Sequence, residues 1–237
     1  MAGTFPLSDT ELKRRTAQAL ASLWKTRSDV ASAQADAGRR VDDSRSGKHL
    51  DAFAAVMGDL ASAAGFTESE VRYRAGVEIP GFYRPTKRWD LIVVRGNQLC
   101  AAIEFKSMMG AYGKNLNNRS EEALGAAADV WAAFKEGTFG NRAPWLGYLF
   151  VIREEPESST PVAVAHATPP AEKIFDGTSY LDRYGILCAR MVRERVYSGA
   201  AYVATRSAKA DAWREPCPGL DVRSFLHAYY GHLVGWG

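Results

Sequence analysis

Residues 88 to 106 read RWDLIVVRGNQLCAAIEFK, two apolar runs with charge at their ends: Asp90 heads the first, and Glu104 and Lys106 close the second. On an extended chain alternate side chains share a face, so Glu104 and Lys106 lie together while Ile103 and Phe105 lie opposite. Whether Asp90 joins them depends on the hairpin between the runs. A two-residue turn at Gly96-Asn97 pairs Asp90 with Ile103 and puts the acids on opposite faces. A three-residue loop over Gly96 to Gln98, or a bulge, sets Asp90 opposite Glu104. The sequence permits both registers.

In the second register two carboxylates converge at the end of an apolar sheet, with an ammonium group one step further on. Unpaired acids there repel each other and raise a pKa, a conflict that a hard divalent cation removes. Mg²⁺ takes oxygen ligands, uses one or two carboxylates, and keeps waters and phosphate oxygens in its other positions. Asp90, Glu104 and the main-chain carbonyl of Phe105 are the expected ligands. Glu78 is a further candidate, and Asp51 and Glu70 are weaker ones. Lys106 would orient or help deprotonate a water attacking phosphorus and balance charge in the transition state. The plainer alternative is that these groups cap strand ends, paired with Arg88 or with each other. E-x-K alone is common, but an upstream acid, a hairpin between the acids and a helix after them favour the catalytic reading.

The elements that must position these residues can be read from periodicity and punctuation. SDTELKRRTAQALASLWKTRSDVASAQADAG reads as a long helix capped by Ser8 or Asp9 and stopped at Gly38; the linker RRVDDSRSGK and a second helix bearing Leu50, Phe53, Val56, Met57 and Leu60 follow. VRYRAGVEI reads as a first strand, PGFYRPTK as a loop, and residues 88–95 and 99–106 as two more strands. SMMGAYGKNLNN reads as a polar loop before a helix from about Ser120 to Lys135, with Asn118 and Glu121 as its capping box. PWLGYLFVIRE is a strong strand and PVAVAHAT a weaker one. A helix over about 178–196, a strand at AAYVAT and a final helix VRSFLHAYYGHLVGW complete the chain. The expected fold is a single α/β domain over 1–237 with an N-terminal helical portion at about 1–65. Its core is a three-strand meander, a crossover helix and a further parallel strand in a mixed sheet flanked by helices.

Composition bounds the function. The chain has 237 residues, 46% of them hydrophobic, and a net charge of +3, which is compatible with nucleic acid without requiring it. Three cysteines without a CxxC pair suggest a reducing compartment, and the four histidines lack zinc spacing. With no apolar leader and no stretch of spanning length, a cytoplasmic protein without membrane contact is expected.

Asp90, then Glu104 and Lys106 on the next strand, then a helix, resembles the PD-(D/E)XK nuclease superfamily. Trp89 departs from the proline expected before the aspartate. PGFYRPTKRWDLIV, AAIEFKSM and NNRSEEALGAAADVW narrow the resemblance to the XhoI family of type II restriction endonucleases, over nearly the whole chain. The resemblance implies a restriction-endonuclease-like core and Mg²⁺-dependent cleavage of double-stranded DNA at the palindrome CTCGAG. It also implies 5′ overhangs and a homodimer. A methyltransferase would protect host sites without binding this chain. Alternatives are a repair or junction-resolving nuclease on the same core, or a catalytically silent DNA-binding domain.

Lys114, Asn115, Asn117, Asn118 and Arg119 are candidate DNA contacts, since asparagine and arginine pair with base edges. Arg84, Lys87 and Arg88, interleaved with aromatics, suit a phosphate-contacting rim. The final helix, with Phe225, Leu226, Tyr229, Tyr230, Leu233 and Trp236, is expected to serve mainly the core and in part a dimer contact.

Overall fold

The computed structural model describes residues 4–37, 50–209 and 211–236, so the linker RRVDDSRSGK lies outside the described residues. The chain runs α1 (Asp9–Ala37), α2 (Asp51–Ala63), β1 (Val71–Tyr73), β2 (Glu78–Pro80), β3 (Thr86–Arg88), β4 (Leu91–Arg95), β5 (Gln98–Met108) and α3 (Tyr112–Lys135). It continues with β6 (Trp145–Arg153), the one-turn α4 (Pro156–Ser159), α5 (Tyr180–Arg193), β7 (Gly199–Thr205), β8 (Trp213–Arg214) and α6 (Val222–Val234).

Six strands form one mixed sheet in the order β1-β4-β5-β6-β7-β8, and β2 and β3 form a separate hairpin. β1, β4 and β5 are the expected antiparallel meander. α3 then crosses over so that β6 runs parallel to β5, and β7 runs parallel to β6. The result is the α/β architecture of a restriction-endonuclease-like core. Alternation divides the apolar residues between the two faces. Leu91, Val93, Ile103, Phe105 and Leu149 pack under α1, α2 and α6. Ile92, Ala102, Tyr148 and Phe150 pack under α3 and α5, with Val77, Ile79 and Trp89 of the hairpin segment. Phe225, Leu226, Tyr229, Tyr230, Leu233 and Trp236 are all buried in the first of these layers, so α6 is core.

Four local expectations differ from what is observed. VRYRAGVEI is broken into β1 and β2 at Arg74 and Gly76, whose φ angles of 73° and 64° leave the extended region. PGFYRPTK, read as a loop, ends in β3. PVAVAHAT forms no strand, only an isolated bridge between Pro161 and Ser179. The largest difference is α3, which starts at Tyr112 rather than Ser120, so Asn118 is no cap. Tyr112 anchors that first turn: it is fully buried and its hydroxyl donates to Glu155 at 2.6 Å. The polar run KNLNN is the solvent side of a helix whose other side is covered, and tertiary packing overrides its loop-like composition.

Candidate active site

The turn between β4 and β5 is the two-residue one, with Arg95 opposite Gln98 and Gly96 at φ 59°, a positive angle at the first central position that suits a II′ turn. By itself it would have separated the acids. A bulge corrects the register: Val93 pairs with Ala101 but Val94 pairs with Leu99, leaving Cys100 as the extra residue. Leu91 therefore faces Ile103, and the next step brings Asp90 opposite Glu104.

Asp90 accepts a hydrogen bond from the Phe105 amide at 2.7 Å through Oδ2. Glu104 is 7% exposed. Its Oε1 accepts from Lys106 Nζ and its Oε2 from Lys87 Nζ at 2.8 Å. Burial and then the Glu104 charge push Asp90 up to about 6. Burial would also raise Glu104, but Lys106 and Lys87 outweigh it and hold that carboxyl below its ordinary value. Burial likewise opposes the Lys106 charge, and Glu104 more than offsets it, leaving Lys106 above its ordinary value. One carboxylate is thus neutralised by two ammonium groups while its neighbour has none in contact.

Trp89 occupies the position before Asp90. Its ring is buried beneath Lys87, 4.3 Å from Nζ to the centroid. Its amide donates to the Val77 carbonyl at 3.0 Å. A proline there has no N–H and would lose that bond, which ties the hairpin segment to the strand entering the site.

A family profile described as Restriction endonuclease XhoI matches residues 28–214. The chain belongs to the XhoI restriction endonuclease family. The chain is 38% identical over 197 residues to "Type II restriction enzyme BstVI" of Geobacillus stearothermophilus, covering 79% of this chain and 88% of that one. It is 40% identical over 161 residues to "Type II restriction enzyme AbrI" of Azospirillum brasilense, 65% of this chain and 71% of that one. It is 35% identical over 190 residues to "Type II restriction enzyme XhoI" of Xanthomonas vasicola, 77% and 76% of the two chains. No solved structure matches the chain. The resemblance read from the sequence, and the enzyme class it implied, therefore hold.

The other candidate residues read from the sequence are distributed unevenly. Glu78 pairs with Arg88 at 2.7 Å. It sits directly across β3 from Arg88, hence on the hairpin face opposite the one from which Lys87 reaches Glu104. Asp51 is taken by Arg74 and Glu70 by Arg95. Arg84 pairs with Asp129 at 2.8 Å. Lys87, expected on a phosphate rim, instead turns in to Glu104.

On α3, Arg119 follows Tyr112 and Leu116 and precedes Ala123 along the stripe facing the sheet, whereas Lys114, Asn117 and Asn118 are exposed. Asn115 spends its amide on the Ala111 carbonyl at 3.0 Å. Arg119 donates to Glu122 at 2.6 Å, and its buried Nε has no partner.

Sequence reasoning missed two contributors: Lys87 as a partner of Glu104, and Asp129, a buried acid in mid-helix. The first had a signal, since Lys87 lies two residues before Trp89 on the strand leading into Asp90. The second had none, because its partners are 46 and 47 residues away.

The donor set fits Mg²⁺. Two carboxylates converge, one of them destabilised as an anion, and among the described residues no cluster of three His, Cys, Asp or Glu supplies a complete protein cage. That is the incomplete coordination Mg²⁺ tolerates, with waters and phosphate oxygens in the remaining positions. Among the described residues no helix is long and apolar enough to cross a membrane.

Proposed function

We propose that this site-specific DNA endonuclease cleaves both strands of duplex DNA at CTCGAG, leaving 5′ overhangs, as a Mg²⁺-dependent homodimer. The observation that carries the reading is the convergence of Asp90, Glu104 and Lys106 on one sheet face, produced by the bulge at Cys100. The type II restriction enzymes to which the chain is similar support the reaction class. The family resemblance supports the target palindrome.

Asp90, Glu104 and the Phe105 carbonyl would hold the cation; its chemistry is Lewis-acid stabilisation of charge developing on the phosphate. Lys106, fixed by Glu104, orients the attacking water and, as an ammonium, balances negative charge at phosphorus. Glu104 keeps Lys106 in place; Asp90 is kept in place by the Phe105 amide. Lys114, Asn117, Asn118 and Arg119 on α3, with Arg88 on β3, supply contacts to the duplex. Such an enzyme works in the cytoplasm, where a methyltransferase of the same specificity guards host sites without binding this chain.

Digestion of a plasmid with mapped CTCGAG sites, with and without Mg²⁺, tests the proposal. Discrete fragments with 5′ ends at those sites are expected with Mg²⁺ and none without it. Asp90→Ala, Glu104→Ala and Lys106→Ala should each abolish the fragments while retaining duplex binding in Ca²⁺. Near-normal cleavage by Glu104→Ala, or fragments ending elsewhere, would refute the assignment.

A further inference from the structure

The tip of the β2–β3 hairpin carries two aromatic side chains that the protein's own core does not use. Phe82 is 50% exposed and Tyr83 72%, and their rings meet edge to face at 4.9 Å. The backbone beneath them is nonetheless fixed. Asp129, fully buried on α3, accepts hydrogen bonds from the Phe82 amide at 2.7 Å and the Tyr83 amide at 2.8 Å. Arg84 pairs with the other Asp129 oxygen at 2.8 Å, and the Gly81 amide closes the tip on the Pro85 carbonyl at 3.3 Å. Gly81 has no room for a side chain, because a Cβ would lie 2.6 Å from Asp129 Oδ2 and 2.7 Å from the Arg84 carbonyl.

A buried carboxylate is unfavourable unless its partners satisfy it. Here Oδ1 takes two amides of an exposed loop, while Oδ2 has an ion pair with a half-exposed arginine but no hydrogen bond, so the arrangement orients the tip rather than the core. The strand leaving the tip delivers Lys87 to Glu104. Tyr83 precedes Lys87 by four residues, at most about 13 Å of extended chain. Nucleotides along one strand of duplex DNA advance about 3.4 Å each, so the tip, joined to Glu104 through that short strand and the Lys87 side chain, lies only a few nucleotides from a phosphate bound beside Glu104. Arg84 and Arg88, each in an ion pair but with about half of the side chain exposed, flank the rings, and exposed aromatics beside arginines suit nucleic acid.

We infer that Phe82 and Tyr83 stack on bases of the bound duplex a few nucleotides from the scissile phosphate, wedging a base step, and that Asp129 is the positioning residue that aims them. The inference rests on Asp90, Glu104 and Lys106 being the cleavage centre.

A duplex carrying CTCGAG, with 2-aminopurine placed in turn at each flanking and internal position, provides the test. Binding is followed in Ca²⁺ by anisotropy and base unstacking by 2-aminopurine fluorescence. Wild-type protein should change the fluorescence at a step a few nucleotides from the cut. Phe82→Ala/Tyr83→Ala should abolish that change and weaken binding tenfold or more, while Tyr83→Phe retains both. Asp129→Asn should diminish the fluorescence change at unaltered secondary structure. Binding and fluorescence of the double alanine variant within twofold of wild type would overturn the inference. So would loss of self-association without DNA, which would place the tip against a second copy of the chain. Loss of Mg²⁺-dependent cleavage of the same duplex in Asp90→Ala, with binding in Ca²⁺ retained, checks the cleavage centre separately, so the fluorescence result decides the stacking role either way.

Discussion

Lys87 Nζ lies 2.8 Å from Oε2 of Glu104, on the carboxylate oxygen opposite the one held by Lys106. Two lysines thus meet two carboxylates, Asp90 and Glu104, and the site is close to neutral before any cation enters. A divalent cation added to that set leaves an excess of positive charge, which a DNA phosphate removes. Metal and duplex should therefore bind cooperatively. Calorimetric titration of Ca²⁺ should show weak binding to the free protein and markedly tighter binding to the protein–duplex complex. Lys87→Met, which frees Glu104 Oε2 and deletes one positive charge, should tighten Ca²⁺ binding to the free protein. Unchanged affinity in the variant would mean that Lys87 does not compete for that oxygen.

The charge of Asp90 makes stability depend on pH. Its carboxyl is pushed up to about 6 by burial and the Glu104 charge, against 3.8 ordinarily. A folded-state pKa above the unfolded one contributes stability that is fully present below about pH 4 and lost as pH rises through about 6. In metal-free protein at pH 8 the ionised Asp90 therefore costs on the order of 2 kcal/mol. Asp90→Asn keeps an acceptor for the Phe105 amide and removes the charge. It should raise Tm by several degrees at pH 8 and by little at pH 4, while abolishing cleavage. Melting curves of both proteins at the two pH values in EDTA check this; an equal gain at both would disconnect the effect from ionisation.

Arg119 lies on the sheet-facing stripe of α3, its guanidinium held by Glu122, and is expected to contact a backbone phosphate rather than a base edge. Arg119→Ala should weaken binding to cognate and random duplexes by the same factor and lower the salt slope by about one. Anisotropy across a salt series measures both quantities. A loss confined to the cognate duplex would make Arg119 a base reader.

The site was legible in the sequence to the extent that strict alternation carried it. Asp90, Glu104 and Lys106 stood out because charged residues at the ends of apolar strands are expensive and period-two spacing shows which face they share. Their register was not legible: nothing in LCAA marks Cys100 as an extra residue, and only the packing of both sheet faces selects the bulge. The start of α3 was hidden for a related reason. Gly110, Gly113 and a run of asparagines read as a loop, and the burial of Tyr112 against the far end of β6 is visible only in three dimensions. Asp129 was invisible because its role lies in backbone amides of a distant hairpin.

One Asp90/Glu104/Lys106 set can engage one scissile phosphate, whereas a double-strand break at a palindrome has two, on strands of opposite polarity. A two-fold axis shared by protein and DNA supplies two sites from one chain. The aromatic face of α6 is buried in the layer it shares with α1, α2 and the sheet, where Phe225 and Tyr229 meet Trp145, so a dimer is expected to use other surface. Sedimentation with a cognate duplex in Ca²⁺ should give two chains per duplex. Mixtures of wild-type and Glu104→Ala chains, unfolded and refolded together, should contain heterodimers with one working site. On supercoiled plasmid these should accumulate nicked circles in one binding event, at up to half of the complexes in an equal mixture. A complex of one chain per duplex that breaks both strands in a single encounter would sink the symmetric dimer.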